Sequence, residues 1–184
     1  MDGIIHCMHD DDPLPRECGG ILLRRLNVAD LRAFQAYRQD AELGLYQGWR
    51  AMPDAEASAF LGEMSNARLF EPGLWCQIGI AESSSNALIG DIGVCLGTDA
   101  TEAEIGFTLQ RTSQGRGLAS VAVGEAIRLI FERTAAQRVL GISDARNAAS
   151  LRLMERIGMH CIESRNVVFR GEACVEQVFE LPRG

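Results

Sequence analysis

The run Arg111-Thr112-Ser113-Gln114-Gly115-Arg116-Gly117-Leu118-Ala119-Ser120 has the residue types and spacing of an anion-binding turn. It follows a predicted strand and opens a predicted helix. Within it, Gln114, Gly117 and Ala119 fit the pattern Gln/Arg-x-x-Gly-x-Gly/Ala. Such a loop aims backbone N–H groups at one point beside a helix N-terminus, which favours a phosphate or pyrophosphate. Small residues let that anion approach the backbone with no Cβ in the way. The structural alternative is a plain helix start with glycines in its turn. Two other phosphate loops are excluded. A Gly-x-x-x-x-Gly-Lys-Ser/Thr loop needs a lysine, and the chain has none. A dinucleotide loop needs a third glycine, where this chain has Ser120.

A second motif follows: Asn147-Ala148-Ala149-Ser150-Leu151-Arg152-Leu153-Met154-Glu155-Arg156-Ile157-Gly158-Met159. Together the two resemble the GNAT superfamily of acyl-CoA-dependent N-acyltransferases. The second is similar to that family's Asn-x-x-Ser-x-x-x-x-Glu-Lys-x-Gly-Phe helix, with Arg156 for Lys and Met159 for Phe. Ser150 resembles the branch that acetylates ribosomal-protein N-termini, the RimJ/RimL type. The similarity runs from about Ile21 to Leu181.

The resemblance implies an α/β fold: a mixed, mostly antiparallel, splayed central sheet flanked by helices. It implies acetyl-CoA as acyl-donor cosubstrate, with no metal, and a primary amine as acceptor: a protein N-terminus, an aminoglycoside or a small amine. Transfer would be direct. The pantetheine would pair with strand backbone around Phe107, Thr108 and Leu109. The pyrophosphate would rest on Gln114, Gly115, Arg116, Gly117, Leu118 and Ala119. Arg116 could add a charge-assisted contact or be a solvated loop arginine. Asn147 could orient the pantetheine, cap its helix, or do both.

Two residues are candidates for proton transfer. Strand alternation puts Glu102, Glu104, Gly106 and Thr108 on one face, with Ala103, Ile105, Phe107 and Leu109 on the other. Glu104 could therefore take the amine proton, bind a cationic substrate, or be a charged strand end. Many members of the resembled family carry a thiolate-protonating Tyr where this chain has Met154, whose thioether cannot donate. Ser150, one helical turn away on the same face, is the alternative donor, or a small packing residue. Met154 also keeps open a catalytically inactive acyl-CoA-binding regulatory protein. A phosphate-ligand module of unrelated fold is a third reading. Tyr46, Trp49, Phe60 and Trp75 are candidate acceptor-pocket aromatics, although buried aromatics usually serve the core. Cys95 and Cys161 are more readily read as core or surface residues than as nucleophiles, since a nucleophile needs an activated thiolate.

Composition limits the partners. The net charge of −7 argues against non-specific nucleic-acid binding. No apolar run reaches membrane-spanning length, and the N-terminus has no secretory pattern. Six dispersed cysteines without Cys-x-x-Cys spacing suit reduced thiols and a cytoplasmic location. A homodimer accords with base rates.

These groups need elements to position them. Residues 1–18 are acidic and Pro-interrupted, and read as a mobile tail. Its His6, Cys7 and His9 could ligate a metal with the aspartates, but they match no established zinc spacing, which favours a solvated terminus. Residues 19–184 read as one domain. The pattern predicts a strand at 21–26, helices ending near Arg38 and Asn66, and strands at 75–82, 87–96 and 102–110. The loop helix then runs to about Glu132, followed by a short strand at 139–142 and the Asn147 helix. A hairpin at 160–169 and 173–181 closes the chain.

Overall fold

The structure is a computed structural model that describes residues 12–184. The candidate ligands His6, Cys7 and His9 lie outside the described residues. The strands are β1 (Arg16–Cys18), β2 (Ile21–Arg25), β3 (Trp75–Glu82), β4 (Leu88–Leu96), β5 (Glu102–Leu109), β6 (Arg138–Asp144), β7 (His160–Phe169) and β8 (Glu172–Pro182). The helices are α1 (Leu31–Arg38), α2 (Asp54–Asn66), α3 (Leu118–Arg133) and α4 (Ala148–Arg156). Every predicted element is present, with ends shifted by a residue or two.

One sheet of eight strands carries the fold, in the order β1-β2-β3-β4-β5-β6-β8-β7. All neighbours are antiparallel except β5 and β6. That parallel pair is short: Glu102, Ala103 and Glu104 face Arg138, Val139 and Leu140, and pairing then stops. Beyond it β5 stays with β4 to Leu109, while β6 stays with β8 to Asp144. The sheet therefore opens into two arms, and each arm keeps its hydrogen bonds on its outer side.

Both faces are covered. On one, α3 sets Leu118, Ala122, Ala126, Leu129 and Ile130 against Ala103, Ile105 and Val139 in the larger core. The helical spacing of these residues makes that stripe. Leu153 and Met154 of α4 join the same core. On the other face, Phe34 and Tyr37 of α1 and Ala57, Leu61 and Met64 of α2 pack on Leu26 and Leu88. Asn27 opens this side with a capping box: its side chain accepts from the N–H of Ala29, and Asp30 accepts from the N–H of Asn27.

The segment 1–18 needs a correction at its end. Arg16–Cys18 pairs with β2, Leu14 is buried, and Arg16 bonds Glu125 and Glu132 of α3. A three-residue strand is too short to show alternation, so the prolines at 13 and 15 dominate the sequence pattern there.

Candidate functional site

Where β5 and β6 part, a cleft of about 660 Å³ opens. Phe107, Thr108 and Leu109 line it from β5, residues 113–115 and 117–120 from the loop and α3, and Asn147, Ala149, Ser150, Arg152, Leu153 and Arg156 from α4 and its cap. The two sequence motifs thus face each other across one space.

Local backbone explains the loop. Gly115 and Gly117 take φ of 75° and 78°, a left-handed region that residues with a Cβ rarely adopt. Gly117 is the N-cap of α3 and has no side chain to cap it, so the first-turn N–H groups are left for another partner. A Cβ at either glycine would meet nothing within 4 Å, so the space over the loop is open. Gln114 turns back and its Nε2 donates to the Leu109 carbonyl at 2.8 Å. Arg116 pairs with Glu82 at 2.9 Å and is not among the lining residues.

On α4, Asn147 caps its helix, accepting from the N–H of Ser150 at 3.2 Å. Ser150 lines the cleft. Met154 is buried, and its sulfur occupies the place a Cβ on Gly141 of β6 would take, 2.5 Å away. Arg152 and Arg156, which sequence reasoning missed, line the cleft one helical turn apart. No local signal marked them, because two arginines four residues apart on a helix usually face solvent.

Glu104 sits at the last β5–β6 pair and is half-buried. It makes no hydrogen bond or ion pair among the described residues. Burial pushes its carboxyl above the usual range; Glu176 adds to this, and Arg165 opposes it. Arg165 is itself bonded to Glu176 at 3.1 Å. Glu104 does not line the cleft itself but lies at its inner end, where the strands join. Burial and Glu104 together raise the Cys95 thiol, which disfavours a thiolate there.

A strap at Tyr46–Trp49 crosses the mouth between the two arms. On the β5 arm, Gln47 Nε2 donates to the Phe107 carbonyl at 3.3 Å and Trp49 Nε1 to Thr108 Oγ1 at 3.1 Å. On the other arm, Arg146 lies over the Tyr46 ring, and Arg170 in the β7–β8 turn donates to the carbonyls of Gln47 and Trp49 at 2.9 and 2.5 Å. The strap is backed by a buried pair: Arg38, stacked 4.6 Å from Trp49, bonds Asp91 at 2.6 Å, and Tyr37 donates to the same carboxylate oxygen. Of the predicted aromatics, Tyr46 lines the cleft, Trp49 belongs to the strap, and Trp75 is exposed on β3. Phe60 packs on Phe34 in the smaller core.

Among the described residues, no group of three or more His, Cys, Asp or Glu could hold a metal ion. No described helix is long and apolar enough to cross a membrane.

A split sheet with a glycine loop at the mouth of the split is the architecture of an acyl-CoA acyltransferase. The family model for the acetyltransferase (GNAT) domain matches residues 21–160, and the chain belongs to that family. Solved structures agree on the fold. A GNAT acetyltransferase from Bacillus anthracis superposes with a TM-score of 0.81 at 19% identity, covering 92% of this chain and 98% of that one. RimL, the ribosomal L7/L12 α-N-protein acetyltransferase, solved with coenzyme A, gives 0.76 at 15% identity over 90% and 95%. The microcin C7 self-immunity acetyltransferase MccE, solved with acetyl-CoA and AMP, gives 0.77 at 13% over 90% and 94%.

Proposed function

We propose that the protein transfers the acetyl group of acetyl-CoA to a primary amine, by direct attack of the amine on the thioester. The observation that carries this is the end of β5–β6 pairing at Glu104 and Leu140, beside a cleft whose far wall is the Gly115–Gly117 turn. In this reading the loop N–H groups hold the pyrophosphate, and Arg152 and Arg156 meet the remaining phosphate charge. The gap-facing backbone of Phe107 and Leu109 pairs with the pantetheine.

Glu104 takes the amine proton, directly or through water, as the C–N bond forms. The C–S bond then breaks, and Ser150 supplies or relays a proton to the departing thiolate. Desolvation makes Glu104 a stronger base than a surface carboxylate. That matters because deprotonating an α-amine at pH 7 costs roughly 1.4 kcal/mol, whereas an alkylamine near pKa 10.4 costs roughly 4.6. The protein N-terminus, aminoglycosides and small amines remain the acceptor classes, as for the family at large.

Release of free CoA thiol, followed with a chromogenic disulfide across an amine panel, tests the assignment. Amine-dependent release is expected. Binding of acetyl-CoA with no release on any amine would favour a regulatory acyl-CoA-binding protein, which the burial of Met154 in place of a proton donor also suits.

A further inference from the structure

The face of the sheet that carries Glu104 has a bare row. Gln77, Gly93 and Gly106 are register partners across β3, β4 and β5, so their side-chain positions share this face. Two of the three have no side chain. The row on one side is Trp75, Cys95 and Glu104; the row on the other includes Asp91 and Thr108, covered by Tyr37, Arg38 and Trp49. The result is a short trough over Gly106 that ends at Gly93, where the Gln77 and Trp75 side chains fill the row.

Its far end is closed. A Cβ on Gly93 would lie 2.8 Å from Gln77 Nε2 and 3.3 Å from the Trp75 ring, so the indole leans over the glycine. Its near end is open: a Cβ on Gly106 would meet nothing within 4 Å. Gly106 has no positive φ that would require glycine. Glycine inside a strand weakens it, and a bare strand position commonly marks close approach of a ligand. Beyond Gly106 lies the free edge of β5, which faces the donor cleft.

The walls suit a cation. Glu104 is half-buried with no ion-pair partner, whereas its strand neighbour Glu102 is bonded to Arg138. Trp75 is 47% exposed and offers an aromatic surface at the far end. Rows on one face lie two residues apart, about 6.8 Å, so the trough is about one alkyl chain wide.

We propose that the Gly93–Gly106 trough is the acceptor subsite, and that its occupant is an unbranched primary alkylamine rather than an amino sugar or a peptide N-terminus. The chain lies over Gly106 toward Trp75, and Glu104 meets the ammonium. This rests on the acyltransferase reading above and narrows its substrate class.

Cadaverine is the probe. Trp49 and Trp75 are the chain's two tryptophans, so both report on this trough. Titrating CoA-saturated protein with cadaverine is expected to change the intrinsic fluorescence, and cadaverine to exceed kanamycin and a serine-initiated peptide amide in kcat/KM. Gly106→Val fills the floor without a backbone conflict and is expected to lower kcat/KM for cadaverine about tenfold or more. Trp75→Ala is expected to raise its KM more than it lowers kcat. In both variants the acetyl-CoA melting shift should match the wild type, which verifies folding and the donor site. Unchanged cadaverine kinetics in Gly106→Val, or preference for kanamycin or the peptide, would overturn the subsite while leaving the acyltransferase reading intact. Absence of any acetyl-CoA shift in the wild type would instead overturn the reading beneath it.

Discussion

Glu104 and Ser150 carry the proposed proton transfers, and each makes a separate prediction. Because burial raises the Glu104 carboxyl, kcat/KM should rise with pH along a limb set above the ordinary carboxylate range. Glu104→Gln should remove that limb and lower the plateau by about 100-fold or more. Stability should move the other way. A carboxyl whose folded pKa is raised binds more protons folded than unfolded between the two pKa values, so stability falls as pH rises through that window. Glu104→Gln should therefore melt higher than the wild type at pH 7 and not at pH 4; equal melting curves at both would show that Glu104 is not desolvated. Ser150→Ala should cut turnover while leaving acetyl-CoA affinity nearly unchanged, and equal turnover would make Ser150 a packing residue. Residue types exposed these two candidates because alternation and helical periodicity report which face a side chain is on. Arg152 and Arg156 went unread because a charged pair four apart on a helix most often faces solvent, and only the position of α4 brings it to the cleft.

At the scale of elements, the loop and α4 form one anion site. Gly117→Val would force a β-branched residue to φ of 78° and place its side chain in the cleft mouth, so CoA affinity should fall by about tenfold or more. Arg152→Ala and Arg156→Ala should each weaken CoA more than 3′-dephospho-CoA, by about tenfold or more, since charged hydrogen bonds contribute about 1.5–3 kcal/mol. Equal losses for both ligands would move those arginines off the phosphate. The strap is the element that sequence could not supply. Gln47 and Phe107 lie 60 positions apart, and Arg170 and Gln47 lie 123 apart, so no local pattern joins them. By contrast, the strand-loop-helix unit from Glu102 to Arg133 is contiguous, and its glycines, alternation and apolar stripe are all local signals. The Arg16 side chain shows the same limit: its partners Glu125 and Glu132 are more than a hundred residues away.

For the whole molecule, helices pack on both faces of the split sheet, in a larger and a smaller core. The buried Arg38–Asp91 pair ties α1 to the centre of the sheet beneath the strap. Asp91→Ala would leave Arg38 charged and unpaired among Phe34, Tyr37 and Trp49, and should cost about 3–5 kcal/mol of stability by denaturant melting. A loss under about 1 kcal/mol would mean the pair is solvated after all. The mixed α/β class was legible in the order of elements, whereas the splayed, mostly antiparallel sheet was legible only through the family resemblance of the two motifs. The parting of β5 from β6 is a matter of where pairing ends, which only the register reveals. The central claim is that this opening receives an acyl-CoA. Its most direct test is a thermal melt with acetyl-CoA, CoA and ADP in parallel. At about 100 times its dissociation constant a ligand adds roughly 2.7 kcal/mol, a rise of about 5–10 °C for a chain of this size. Acetyl-CoA and CoA should both produce that rise and ADP far less; no rise with any of them, or an equal rise with ADP, would contradict the account.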